Sequence, residues 1–153
     1  MTTVAVDLEE GVMVSDSCVT VEHKGIDYPA IKIIKKAGML IGAAGHAGDC
    51  TRFMKWAAGK FQDKEPKWFE EAGQEDSVIG IVLKDDGIYI WSQGDPEPER
   101  VESTRFAVGS GGKAARAAML LGLSAEKAVE IACQVDPYSK LPLQVLRVKN
   151  GKD

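Results

Sequence analysis

The first sixteen residues, MTTVAVDLEEGVMVSD, constrain the fold more than any other stretch of the chain. TTVAVDL alternates in character and is rich in β-branched residues, EEG supplies a turn, and GVMVSD returns as a second strand. The chain therefore starts as an antiparallel hairpin. CVTVEH then extends or edges that sheet, and IKIIKKA pairs with MLIGAAG around Gly38. In AGDCTRFMKWAAGKF the period changes: Cys50, Phe53, Met54, Ala57 and Phe61 fall on one helical face, a stripe that reads as core packing.

Downstream, DKEPKWFEEAGQED is polar and leaves room for a short helix beside Pro66 and Gly73. SVIGIVLKDDGIYIWS is a hairpin turning at Asp85, Asp86 and Gly87, and QGDPEPERVES reads as a loop. TRFAVGSGG is a strand running into a glycine turn. KAARAAMLLG is a helix closed by Gly122, Ser124 caps a further helix over AEKAVEIACQV, and LPLQVLRV is a late strand. Antiparallel hairpins with helices gathered in blocks indicate an α+β fold, not alternating βαβ units. Two antiparallel sheets packed face to face with helices outside, a four-layer αββα sandwich, would bury both sets of strands. A length of 153 residues fits one such domain over 1–153.

Composition narrows the chemistry. The net charge is −4, which argues against nucleic acid as the main partner. Cys18, Cys50 and Cys133 are odd in number and far apart, so they read as free thiols of a reducing compartment. His23 and His46 are too few and too isolated for a zinc site, and no metal site is expected. No apolar run reaches membrane-spanning length, and no basic-then-apolar leader precedes the hairpin. A cytoplasmic chain with its N-terminus at or beside Met1 is the expectation.

Two features could carry chemistry. FAVGSGGKA contains G-x-G-x-x-A between a strand and a helix, the outline of a dinucleotide fingerprint. A second helix follows with no strand between, so the βαβ unit that the fingerprint needs is missing. A tight strand-to-helix turn explains the glycines and leaves Ser110 free to face a site. The other feature is Thr2. Methionine before a small residue is readily removed, which would give Thr2 a hydroxyl and a free α-amine on adjacent carbons. An α-amine has a pKa near ~8, so part of it is neutral at physiological pH and can accept the hydroxyl proton. A nearby ammonium would lower that pKa further. Lys32, flanked by isoleucines, and Asp16, at the end of the second strand, are candidates for the ammonium and its counter-ion. Taken singly, each has an ordinary reading as an edge-strand lysine and a turn aspartate.

The series TTVAV, GVMVSD, IKI, GAAGHAGD, VGSGG and DPYS resembles the proteasome β-subunit family of N-terminal-nucleophile hydrolases, most of all the bacterial heat-shock ATP-dependent protease ring. The resemblance runs from Thr2 through LQVLRV. It implies that Thr2 is the nucleophile, Asp16 the carboxylate after the second strand, and Lys32 the catalytic lysine. It implies further that Gly45 supplies an oxyanion N–H, and that Ser110, Asp136 and Ser139 position the N-terminal amine. Val19, Ala30, Ile34, Ala43 and Ala47 match positions lining the family's main specificity pocket. All are small or apolar, which favours a hydrophobic side chain before the scissile bond.

What the resemblance implies about function is a threonine-type endopeptidase in a self-compartmentalising homo-oligomeric ring, acting on unfolded polypeptides with or without an ATPase unfoldase. No organic cofactor is implied, and the family leaves room for a structural monovalent or divalent cation near Asp136. Two rivals stand beside this: a catalytically silent ring or scaffold subunit, and a small-molecule amidase with the same N-terminal chemistry. The sequence also departs from the family's pattern. The interval from Asp16 to Lys32 needs a small gap, the region around PKWFEEAGQED is shorter, and Pro137 stands inside DPYS.

Overall fold

The computed structural model describes residues 2–21, 26–62, 78–92 and 95–149. The strands are β1 (Thr3–Asp7), β2 (Val12–Ser15), β3 (Cys18–Val21), β4 (Ile26–Pro29), β5 (Ile33–Lys36), β6 (Met39–Gly45), β7 (Val78–Lys84), β8 (Gly87–Ser92), β9 (Glu99–Val101), β10 (Arg105–Gly109) and β11 (Gln144–Arg147). The helices are α1 (Ala47–Ala58), α2 (Gly112–Leu120) and α3 (Ala125–Val135). One sheet has the order β10-β1-β2-β11 and the other β5-β6-β7-β8-β9. Every strand pairing in both is antiparallel.

The period of two explains how the layers stack. Every residue of β1 and β2 is buried, yet their side chains go to two different cores. Ala5, Val12 and Val14 meet Ala115, Met119, Ala128 and Val129 of α2 and α3. Val4, Val6 and Met13 meet Leu40, Ile81, Leu83 and Ile88 of the second sheet. That sheet repeats the division, sending Ile41, Ala43, Val82 and Trp91 to a third core against Phe53 and Trp56 of α1. A strand covered on both faces reads as near-continuous apolar sequence, because no side is left for polar groups. The result is the expected αββα order, with α2 and α3 outside one sheet and α1 outside the other.

Local chemistry sets the ends of the elements. Ser124 caps α3, its Oγ accepting from Lys127 N at 3.1 Å. Helix α1 stops at Ala58, short of the expected Phe61, because Lys60 and Phe61 both take positive φ of 59°. Phe61 still packs, its ring stacked on Trp91 at 4.8 Å, but from the turn and not from the helix.

Three expectations are corrected here. Residues 18–21 pair with β4 in a separate two-stranded ribbon and do not extend the first sheet. The loop over QGDPEPERVES is interrupted by β9, whose backbone pairs with β8 although its sequence, ERV, is mostly polar. Lys32 lies just before β5 and not within a strand. The short helix expected near Pro66 and Gly73 falls outside the described residues, as does His23. Among the described residues no helix is long and apolar enough to cross a membrane.

Candidate active site

Beginning β1 at Thr3 and ending β2 at Ser15 places Thr2 and Asp16 together at one end of the first sheet, across the hairpin from its turn. Asp16 N donates to Thr3 O at 3.2 Å, and Thr3 N donates back to Asp16 Oδ1 at 3.0 Å. Lys32 Nζ reaches the same carboxylate, 3.0 Å from Oδ1 and 3.1 Å from Oδ2. Lys140 N donates to Oδ2 at 3.0 Å. Asp16 is fully buried and Lys32 is 5% exposed. Buried charges persist only when paired and hydrogen-bonded, and here two backbone N–H groups and an ammonium share one carboxylate. Because Thr3 N and Lys32 Nζ meet on Oδ1, the ammonium sits next to the peptide unit that follows Thr2. Asp16 and Lys32 are thus a buried pair, not solvent-exposed side chains.

The second group lies at the end of α3. Asp136 is the C-cap residue of that helix, where the helix dipole opposes a negative charge. Donors offset this: Ser110 Oγ and Ser139 Oγ both donate to Asp136 Oδ2 at 2.5 Å, and Tyr138 N donates to Oδ1 at 3.3 Å. Ser139 Oγ is also 2.7 Å from Thr3 Oγ1. A hydroxyl has one proton, and that of Ser139 goes to Asp136, so Thr3 must be the donor in this contact. The trio of Ser110, Asp136 and Ser139 thus comes together, and the bonds described for it run to Thr3.

Thr3 is the residue that sequence reasoning missed. Its amide is tied to Asp16 and its hydroxyl to Ser139, so it joins the two groups while Thr2 remains at the end of the strand. A β-branched residue in an alternating run gives no sign of such a role. The doubled threonine is the only signal there was.

Gly109 and Gly45 bring the neighbouring backbone in. Gly109 closes β10 with φ of +99°, and a Cβ there would stand 1.7 Å from Thr2 O. That conformation disfavours any side chain, and no neighbour can move far enough to admit one. Gly109→Ala is expected to push Thr2 out of place and to lower Tm, which a melting curve on the purified variant checks. Gly45 ends β6 with φ of +129°, and only His46 separates it from α1. The same virtual Cβ on Gly109 lies 3.2 Å from Ala44 Cβ, so Thr2 and the end of β6 face each other across Gly109.

The expected pocket residues divide. Ala43 is buried in the core under α1, with Ile34 packed against that core. Ala47 is the first residue of α1 and is exposed, and Ala30 lies two residues before Lys32. Val19 sits on β3 across from Tyr28, and its side chain is outside what is described. A cavity of about 250 Å³ lined by Leu8, Gly11, Leu83 and Val148 lies at the other end of the sandwich and shares no residue with this cluster. Burial, reinforced by the Asp49 carboxylate, pushes the Cys50 thiol up to about 12. It therefore stays protonated at neutral pH and offers no thiolate nucleophile. Among the described residues no group of three His, Cys, Asp or Glu could hold a metal ion.

Two antiparallel sheets between helical layers make up the fold of the proteasome-like N-terminal-nucleophile hydrolases. The solved structures to which the chain is similar agree. Eukaryotic HslV from Trypanosoma brucei matches with a TM-score of 0.68 at 23% identity, over 95% of this chain and 99% of that one. BPH from Thiobacillus denitrificans matches with a TM-score of 0.67 at 20% identity, over 97% of this chain and 99% of that one. The same BPH in complex with epoxomicin matches with a TM-score of 0.68 at 18% identity, over 97% of this chain and all of that one. No protein-family model matches the chain, and no curated protein matches it by sequence.

Proposed function

We propose that this chain is a threonine-type endopeptidase whose nucleophile is Thr2, exposed once the peptide bond before it is cut. The observation that carries the reading is the shared oxygen. A buried carboxylate holds the Lys32 ammonium and the Thr3 N–H on one atom, next to Thr2. In the proposed reaction the Thr2 hydroxyl oxygen attacks the scissile carbonyl carbon while the Thr2 amine takes the hydroxyl proton. The amine then passes that proton to the leaving nitrogen as the C–N bond breaks, leaving an ester on Thr2. Water attacks the ester with the amine again as base, and the acid product departs. Lys32, fixed by Asp16, keeps the amine's proton affinity low through its positive charge. The backbone N–H of Gly45 is the proposed oxyanion donor, a contact typically worth ~10²–10³ in rate.

Ring assembly, an ATPase unfoldase and unfolded polypeptide substrates belong to the same proposal. They are supported by the shared fold of HslV and BPH and by the sequence resemblance. A cytoplasmic setting is likewise proposed. A hydrophobic residue before the scissile bond belongs to the proposal on the strength of the sequence resemblance, and no step draws on a cation.

The test combines intact mass with activity. The purified protein is expected to be lighter by one methionine residue, to hydrolyse a fluorogenic peptide with a hydrophobic P1 residue, and to gain the mass of an epoxyketone peptide on Thr2. A chain that keeps Met1 and is inert to peptides would favour the scaffold reading. A monomer that hydrolyses simple amides but not peptides would favour the amidase.

A further inference from the structure

The segment that presents Lys32 lies between two strands, β4 ending at Pro29 and β5 starting at Ile33. Ile31 is 74% exposed, yet the Lys32 side chain must enter a buried site one residue later. Ala30 N donates to Ser17 O at 2.8 Å, and beyond it the backbone is held by one side chain from the far end of the chain. Gln144 Oε1 accepts from Lys32 N at 3.0 Å, and Gln144 Nε2 donates to Ala30 O. The two bonds are reciprocal and fix the orientation of the amide, since the oxygen must face an N–H and the nitrogen a C=O. Gln144 thus pairs with residues 30 and 32 as a neighbouring strand's backbone would.

The register explains why the amide arrives there. Gln144 opens β11 opposite Ser15, the residue before Asp16, and Ser15 Oγ approaches Gln144 Oε1 at 3.5 Å. The same stretch of chain supplies Lys140, whose N bonds Asp16 Oδ2 and whose O accepts from Ser17 N at 3.1 Å. One segment, 140–144, therefore sets both the carboxylate and the backbone of the lysine it holds.

We propose that Gln144 is a positioning residue for Lys32, acting by clamping residues 30–32 so that the ammonium meets Asp16 beside Thr2. The catalytic part of this inference rests on the peptidase reading above.

Gln144→Met keeps the side-chain length and removes both bonds. It is expected to lower kcat per active site, counted by epoxyketone titration, by about 10–100-fold with KM little changed, as slight misplacement of a reacting array does. Independently of turnover, Lys32 is expected to be acetylated faster in Gln144→Met than in the wild type, read by peptide mass spectrometry. Wild-type kcat per titrated site together with wild-type Lys32 labelling overturns the proposal. A fall in kcat matched by an equal rise in KM, with Lys32 labelling unchanged, also overturns it. A wild-type protein that hydrolyses no peptide strikes the peptidase reading, and the labelling comparison then still decides whether Gln144 holds Lys32.

Discussion

Thr2→Ala is expected to yield a folded protein without measurable turnover. The ladder of the first sheet begins at Thr3, so removing the Thr2 hydroxyl and methyl leaves every strand pairing intact. The bonds that anchor this end belong to Thr3, through Asp16 and Ser139. The stability cost is therefore expected to be about 1 kcal/mol, the ordinary effect of one substitution. The effect on rate is of another order. Losing a nucleophile from a coupled set lowers kcat by about 10⁴–10⁶-fold, because the remaining groups have no covalent step to assist. Melting curves and a peptide assay on wild type, Thr2→Ala and Thr2→Ser separate the two effects. Thr2→Ser keeps a hydroxyl beside the amine and is expected to recover part of the rate. Turnover near wild type in Thr2→Ala would move the nucleophile elsewhere in the molecule.

The parts of this site that were legible in the sequence are the parts that depend on local pattern. The opening hairpin, the strand-to-helix glycine turn and the Ser124 cap follow from periods and turn residues within a few positions of one another. Asp16 and Lys32 were found only through the order of short motifs. Judged singly, a turn aspartate and an edge-strand lysine were the better readings, because neither residue type shows that it is buried. β9 was not legible, since its three mostly polar residues are held by backbone pairing with β8, which side-chain pattern does not report. Thr3 and Gln144 were not legible either. Each looks like an ordinary residue of a β-strand, and each has a partner more than a hundred residues away. The helix over 47–61 was right in its face and wrong in its end, and Trp56 joins Phe53 in the core beneath it. The site is thus a tertiary object: one end of the first sheet, tied by a C-terminal segment to the start of the second.

That tie makes the second large effect a double one. Lys32→Met is expected to remove nearly all turnover and to destabilise the fold, for separable reasons. The stability term comes from Asp16. Its fully buried carboxylate loses the ammonium but keeps the N–H groups of Thr3 and Lys140. Breaking one side of a buried pair costs about 3–5 kcal/mol, and the two remaining donors put this case at the low end. For a chain of this size that is a fall of roughly 6–12 °C in Tm. In the proposed reaction the rate term comes from Thr2, whose amine would lose a positive neighbour that lowers its proton affinity. Assaying well below the lowered Tm, with the folded fraction confirmed by circular dichroism, isolates the second term from the first. Asp16→Asn cannot serve as a mild control. Thr3 N and Lys140 N bond different oxygens of Asp16, so the amide NH₂ of asparagine would face an N–H in either orientation. A Lys32→Met protein that melts early yet cleaves peptide like the wild type would make the Asp16–Lys32 pair a structural rivet only. The charge beside Thr2 would then have no part in catalysis.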